Sequence, residues 1–205
     1  MINHFPVNIS REEISKLPLT QFSGNIIVAD NQASFRNSIK MVKEYNNLGF
    51  DTETRPSFKK GNTNNVAMIQ LATKDKCFIF RLNKIGLRYE LIHLLSDKKK
   101  LKVGVSLRDD TRLLRKLKYF EPRGFIDLQN YAEQFGIKDK SLKNLTAIIL
   151  DKRISKSQQT SNWEVENLSQ YQLIYAATDA WVCLEIYNCL KMVESEYEGI
   201  GKSNT

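Results

Sequence analysis

The chain has 205 residues, of which 41% are hydrophobic and 26% charged, as in an ordinary soluble globular domain. Its 31 basic and 23 acidic residues give a net charge of +8, which either favours a polyanionic partner such as nucleic acid or simply serves solubility. No apolar run approaches the roughly 20 residues of a membrane span, and no signal-peptide pattern opens the chain. With three cysteines and no CxxC spacing, we expect a cytoplasmic protein, or a nuclear one if the source is eukaryotic.

The first part of the chain is predicted to form two helices and four strands. Ser10 with Glu13 three residues on has the pattern of a capping box for a short leading helix. Phe35, Ile39 and Val42 then share one face of a second helix. The predicted strands are residues 25–30, 48–53, 66–73 and 76–82. The last three follow one another closely and are expected to pair as antiparallel neighbours.

In the second part, helices and strands alternate. The predicted helices are residues 85–97, 108–117, 125–136, 141–150 and 169–197, with a strand at 101–105 and an irregular segment at 151–163. An antiparallel meander followed by alternating elements indicates an α/β domain, with a mixed central sheet and helices on both faces.

Two carboxylates stand one residue apart where the strand at 48–53 ends. Because side chains alternate along a strand, Asp51 and Glu53 are expected to point to the same side. Two like charges placed so closely repel each other, which calls for a cation between them. An exposed acidic pair is the simpler alternative.

Two further carboxylates favour the cation site over an exposed acidic pair. Asp110 has leucines three, four and seven residues ahead and so lies on or beside the buried face of its helix, whereas Asp109 suits the helix dipole. On the last helix, Tyr175 and Asp179 are four residues apart and share a face. A buried Tyr–Asp hydrogen bond would explain that pair alone.

Together, these four carboxylates are predicted to line one crevice at the edge of the sheet. Oxygen ligands without histidine or thiolate suit hard divalent cations such as Mg²⁺ or Mn²⁺. Two such ions about 4 Å apart can clamp the attacking and leaving oxygens of a phosphoryl displacement.

The segments FDTET, VGVSLRDD and YAATD, in this order, resemble the motifs of the DEDD superfamily of 3′–5′ exonucleases, in its tyrosine-bearing branch. SLKNL, SNW and LSQYQLIYAATDAW resemble the Werner-type exonuclease domain closely and ribonuclease D more distantly. The resemblance runs from about Asn25 to Leu190. It implies a ribonuclease-H-like fold and stepwise release of nucleoside 5′-monophosphates from a 3′ end, with DNA favoured as the substrate.

The same resemblance implies roles for individual residues. Asp51, Glu53 and Asp179 would hold one metal ion, Asp51 would bridge to a second, and Asp110 would assist through water. Tyr175 would orient the attacking water, and the Thr54 amide would lie near the terminal 3′-hydroxyl. Ser106 stands where the family often has asparagine and is given no role.

Further substrate contacts are predicted from composition. Phe58 is a candidate for stacking on a base, and Lys59 and Lys60 for contacting phosphate, although an ordinary surface loop is an equal alternative. Lys152, Arg153 and Lys156 are candidates for gripping the backbone, whereas Trp163 is interpreted as a core residue.

The predicted organisation is an N-terminal extension at 1–24, an exonuclease domain at 25–198 and a flexible tail at 199–205. Two rival functions stay open: an RNA-directed exonuclease like ribonuclease D, and an inactive nucleic-acid-binding module. The expected partner is the 3′ end of a nucleic acid, with any helicase a separate polypeptide and no membrane contact. The sequence does not indicate the oligomeric state.

Overall fold

The protein is described by a computed structural model covering residues 5–56 and 64–203, with side chains described as far as residue 197. Within these described residues, six strands form one sheet: β1 (Asn25–Ala29), β2 (Asn47–Thr54), β3 (Val66–Ala72), β4 (Lys76–Phe80), β5 (Leu101–Gly104) and β6 (Phe125–Asp127). The helices are α1 (Arg11–Lys16), α2 (Gln32–Val42), α3 (Leu82–Ile85), α4 (Tyr89–Ser96), α5 (Leu107–Leu117), α6 (Leu128–Glu133), α7 (Leu142–Leu150) and α8 (Gln170–Ser203).

The sheet is mixed, with the strand order β1-β4-β3-β2-β5-β6. Strand β3 pairs antiparallel with both β2 and β4, as the sequence predicts for consecutive strands. The pairs β1–β4, β2–β5 and β5–β6 are parallel. The predicted mixed α/β fold is therefore confirmed.

Helices cover both faces of this sheet because the strands carry apolar side chains on both sides. Residues of α2, α4 and α5, including Phe35 and Leu114, pack with Phe50, Phe78 and Phe80 in one core cluster. Residues of α8, together with those of α6 and α7, form the core on the opposite face. Within the described residues, no helix combines the length and the apolar composition needed to cross a bilayer.

Two predicted helices were wrong in extent. The helix expected at 85–97 is divided, because Gly86 adopts a φ of 69° and ends α3 before α4 begins. The helix expected at 125–136 begins as strand β6, which pairs with β5. Asp127 then caps α6 by accepting a hydrogen bond from the Gln129 amide. A three-residue strand has no periodicity of its own, so only its partner strand reveals it.

The structure adds to the sequence prediction near both ends of the chain. The capping box of Ser10 and Glu13 is present at α1, and Ile14 and Phe22 of the N-terminal segment are buried. At the other end, α8 continues to Ser203, into the segment assigned to a tail. The proposed domain boundaries stay predictions.

Candidate active site

Asp51 and Glu53 extend from β2 toward the face that α8 covers. The alternation of side chains places them on the same side of the strand as Gly49. A Cβ atom at Gly49 would lie only 1.9 Å from the carbonyl oxygen of Ala180. Glycine on the strand and alanine on the helix thus let the two backbones meet closely, which brings Asp179 beside the strand carboxylates.

These three residues, Asp51, Glu53 and Asp179, form what we call the acidic cluster. One carboxylate oxygen from each lies within 4.8 Å of the other two. Asp179 is 8% exposed, and its Oδ1 is buried without a hydrogen-bond partner in the described part of the chain. An unsatisfied buried oxygen is costly unless a ligand meets it, and the all-oxygen donor set suits a divalent metal ion.

The electrostatics of the acidic cluster favour a bound cation. Burial, followed by the charges of neighbouring carboxylates, raises the pKa of Asp51 well above its ordinary range and that of Glu53 to about 9. Burial also raises the pKa of Asp179 to about 7. Without a cation the cluster therefore keeps protons at neutral pH that a metal ion would displace.

Asp110 lies beside the acidic cluster but is not part of it. Its Oδ1 accepts a 2.6 Å hydrogen bond from the Thr52 hydroxyl, and burial raises its pKa to about 6. Its charge contributes to the raised pKa of both Asp51 and Glu53. The expected crevice of four carboxylates thus consists of three clustered residues and a fourth held by Thr52.

The neighbouring Asp109 behaves differently from Asp110. It is exposed and forms an ion pair with Arg112 one turn along the helix, at 3.1 Å. The inward-facing residue of the two is therefore Asp110, in agreement with the register inferred from the leucine spacing.

Tyr175 lies one turn before Asp179 on the same face of α8. Its ring packs against Trp163, with 5.9 Å between ring centroids, and Trp163 is fully buried, as predicted for a core residue. A hydrogen bond from the Tyr175 side chain moderates the raised pKa of Asp179. Burial and the nearby carboxylates raise the pKa of Tyr175 far above neutrality, so the phenol stays protonated.

Asp51, Tyr175 and Asp179 line a cavity of about 180 Å³, which we call the carboxylate cavity. Lys143 and Lys156 line it too, and the charge of Lys156 lowers the pKa of Asp179. Sequence reasoning placed Lys156 in a basic segment but missed Lys143, because a lysine near the start of a helix carries no signal of its own.

The structure describes three of the other six predicted substrate-contact residues. Thr54 ends β2, where its register with β3 shifts after Glu53. Lys152 is exposed, whereas the Arg153 Nε donates to the Leu17 carbonyl at 3.0 Å and so holds the N-terminal segment. Phe58, Lys59 and Lys60 lie outside the described residues. The roles of all six stay predictions.

A family model described as 3′–5′ exonuclease matches residues 26–193. An Arabidopsis thaliana "3′-5′ exonuclease" is 28% identical over 93% of this chain and 72% of that protein. The mouse "Bifunctional 3′-5′ exonuclease/ATP-dependent helicase WRN" is 31% identical over 85% of this chain but only 13% of its own length.

Solved structures show the same fold. The Nibbler EXO domain of Aedes aegypti matches with a TM-score of 0.76 and 24% identity, over 87% of this chain and 94% of that one. Ribonuclease D of Escherichia coli, titled an exoribonuclease, matches with a TM-score of 0.72 and 21% identity, over 85% of this chain and 46% of that one. At these identities the likeness shows the ribonuclease-H-like fold.

Proposed function

The chain belongs to the 3′–5′ exonuclease family, and from this premise we propose that it releases nucleoside 5′-monophosphates one at a time from the 3′ end of DNA. The reaction adds water across the terminal phosphodiester. The water oxygen bonds to phosphorus, the bond from phosphorus to the 3′ oxygen breaks, and that oxygen leaves with a proton. The observation that carries the proposal is the acidic cluster beside a protonated tyrosine.

The acidic cluster would hold divalent metal, for which Mg²⁺ and Mn²⁺ are the candidates. Ions held there would supply Lewis-acid stabilisation of the negative charge that develops on the phosphate. We propose two ions, which Asp51, Glu53 and Asp179 would hold with Asp110 beside them. The support is the all-oxygen donor set, the unpartnered Oδ1 of Asp179, and the proximity of Asp110 as a further carboxylate.

We propose that Tyr175 orients the attacking water, and hence that the chain is a member of the tyrosine-bearing branch. A phenol whose pKa is raised by burial and carboxylates stays protonated. It therefore acts as a hydrogen-bonding group of fixed position rather than as a base. Packing against the buried Trp163 holds its ring in place.

RNA is the second candidate substrate. DNA is favoured because SLKNL, SNW and LSQYQLIYAATDAW resemble the Werner-type exonuclease domain more closely than ribonuclease D. The fold, however, is equally that of an exoribonuclease. The two are distinguished by contacts to the 2′-hydroxyl, which is a property of the substrate-binding residues rather than of the acidic cluster. The separate helicase and the cytoplasmic location stay predictions.

A cleavage ladder on 5′-labelled substrates tests this function. Single-stranded DNA, 3′-recessed duplex DNA and RNA of the same sequence are incubated with Mg²⁺, Mn²⁺ or chelator, with Asp110→Ala as the weakened control. We expect a metal-dependent ladder that shortens from the 3′ end and is strongest on DNA. A stronger ladder on RNA would favour the second candidate, and binding without any ladder would indicate an inactive binding module.

A further inference from the structure

The N-terminal segment lies outside the family match, which begins at residue 26, yet it is fastened to the loop that lines the carboxylate cavity. The Arg153 amide donates to the Pro18 carbonyl at 2.9 Å, and the Thr20 amide donates to the Arg153 carbonyl at 2.8 Å. The Arg153 side chain adds its bond to Leu17. Helix α1 is thereby held next to residues 153–156.

A second depression of about 360 Å³ opens between α1 and this loop. Its charged lining residues are all basic, and we call it the basic depression: Arg11, Lys143, Arg153 and Lys156. Its remaining lining residues are Ser15, Ser155 and the apolar Ile14 and Ile154. Lys143, Ser155 and Lys156 also line the carboxylate cavity, so the two depressions adjoin.

The cations of the basic depression form no close ion pair among the described residues, although the charge of Lys156 also acts on Asp179 of the carboxylate cavity. None of the four lies within 4 Å of a carboxylate in the part of the chain that the structure describes. The two carboxylates of α1 are engaged elsewhere, since Glu12 pairs with Lys16 at 2.7 Å and Glu13 accepts from the Ser10 amide. The bond from Arg153 to Leu17 uses only its Nε, which leaves the terminal guanidinium nitrogens as donors.

We propose that the basic depression is a phosphate subsite, which binds the backbone of the substrate strand on the 5′ side of the scissile bond. The proposal rests on the proposed function for the identity of the strand. It adds a role for α1: Arg11 extends the substrate site beyond the exonuclease domain. A concave site next to the reacting end, with four cations that form no ion pair with any described residue, is suited to consecutive phosphates. Guanidinium groups bind phosphate bidentately.

The test compares Arg11→Gln with Lys16→Gln, a matched loss of one positive charge on the same helix, from an exposed residue paired with Glu12. Binding of a single-stranded decamer is measured in chelator across a range of salt concentrations. We expect Arg11→Gln to weaken binding on the order of fivefold and to reduce the slope of log K against log salt by about 0.7, the value for one phosphate contact. Lys16→Gln should change neither quantity. Equal effects of the two substitutions would overturn the proposal.

A cleavage assay tests this subsite independently of the proposed exonuclease function. The ratio of kcat/KM on the decamer to that on a dinucleotide should fall in Arg11→Gln and in Lys143→Gln, because a dinucleotide has no further phosphates to place. An unchanged ratio in both variants would contradict the subsite, even if the enzyme is active. Another outcome is that the wild type cleaves none of the substrates while Arg11→Gln alone still loses binding of the decamer. In that case the subsite stands and the exonuclease proposal fails. Matching melting temperatures confirm that the variants are folded.

Discussion

Two regions of the molecule withdraw charge from solvent in opposite ways. Lys102 on β5 is fully buried, and its ammonium donates to the carbonyls of Leu94, Asp97 and Lys100 at 3.1, 2.9 and 2.7 Å. In the acidic cluster, three carboxylates lie together, and among the described residues no lysine or arginine is within 4 Å of them.

The difference indicates what each charge is for. Lys102 finds every partner it needs inside the fold, and although burial lowers its pKa to about 8, it stays charged at neutral pH. The acidic cluster instead leaves a buried oxygen unpartnered and crowds carboxyl groups that must either take up protons or repel one another. Repulsion of this kind lowers the stability of the metal-free fold and is relieved when a cation binds. We infer that Lys102 serves the structure and the acidic cluster serves a ligand.

The largest expected effect comes from Asp51→Asn. It should lower the cleavage rate by at least about a thousandfold, because metal stabilisation contributes several kcal/mol to the transition state. The free energy of unfolding of the metal-free protein should be unchanged or higher, since asparagine needs neither the proton nor the cation that the buried Asp51 carboxyl requires. Asp109→Asn, an exposed neighbour of Asp110, is the control and should cleave like the wild type. A clearly less stable Asp51→Asn protein would contradict the view that the acidic cluster destabilises the metal-free fold.

Lys102→Ala should have the opposite effect, a loss of stability without a loss of cleavage. Removing the ammonium takes a donor from each of the three carbonyls, of which those of Leu94 and Asp97 keep longer bonds from backbone amides. We therefore expect the free energy of unfolding to fall by about 2–3 kcal/mol. The folded fraction should cleave normally. Denaturant unfolding measures the loss, with the exposed Lys99→Ala as control, and a loss under 1 kcal/mol would mean that the three bonds contribute little.

The stability of the metal-free protein is expected to depend on pH because of the acidic cluster and Asp110. The pKa values of Glu53, Asp179 and Asp110, about 9, 7 and 6, lie above those of ordinary carboxyl groups. The folded state therefore binds protons that the unfolded chain releases, and the free energy of unfolding should fall as pH rises from about 4 to about 9.

Added Mn²⁺ should raise the melting temperature more at pH 8 than at pH 6, because it replaces those protons. Thermal unfolding over this range, with and without Mn²⁺, measures both effects. A flat curve in chelator, or equal stabilisation by Mn²⁺ at both pH values, would argue against the clustered repulsion.

Tyr175→Phe should have the smallest effect. The ring and its packing against Trp163 remain, so only the hydroxyl that orients water is lost, and kcat should fall on the order of 10–100-fold. Metal affinity should be retained. Unchanged turnover kinetics would show that the hydroxyl has no part in the reaction.

Much of the fold follows from local patterns in the sequence. The apolar runs of β2 to β4 and the helical spacing of Phe35, Ile39 and Val42 need no knowledge of distant residues. The division of the predicted helix at Gly86 was missed because it depends on a positive φ at that glycine, and the short β6 was missed because it depends on pairing with β5.

The site was predictable where residues share an element and not where elements meet. Asp51 with Glu53, and Tyr175 with Asp179, are set by the periods of a strand and a helix. Other contacts depend on residues that are far apart in sequence or that a turn brings together. They are the bond between Thr52 and Asp110, the three carbonyls around Lys102 and the attachment of α1 to Arg153. No local pattern encodes such contacts.

The assignment of the acidic cluster as a metal site is tested most directly by a calorimetric titration of Mn²⁺ into the wild type, Asp51→Asn and Asp109→Asn. We expect the wild type and Asp109→Asn to bind Mn²⁺ alike, and Asp51→Asn to lose this binding together with cleavage. Equal binding by all three proteins would place the metal elsewhere and contradict the assignment of the acidic cluster.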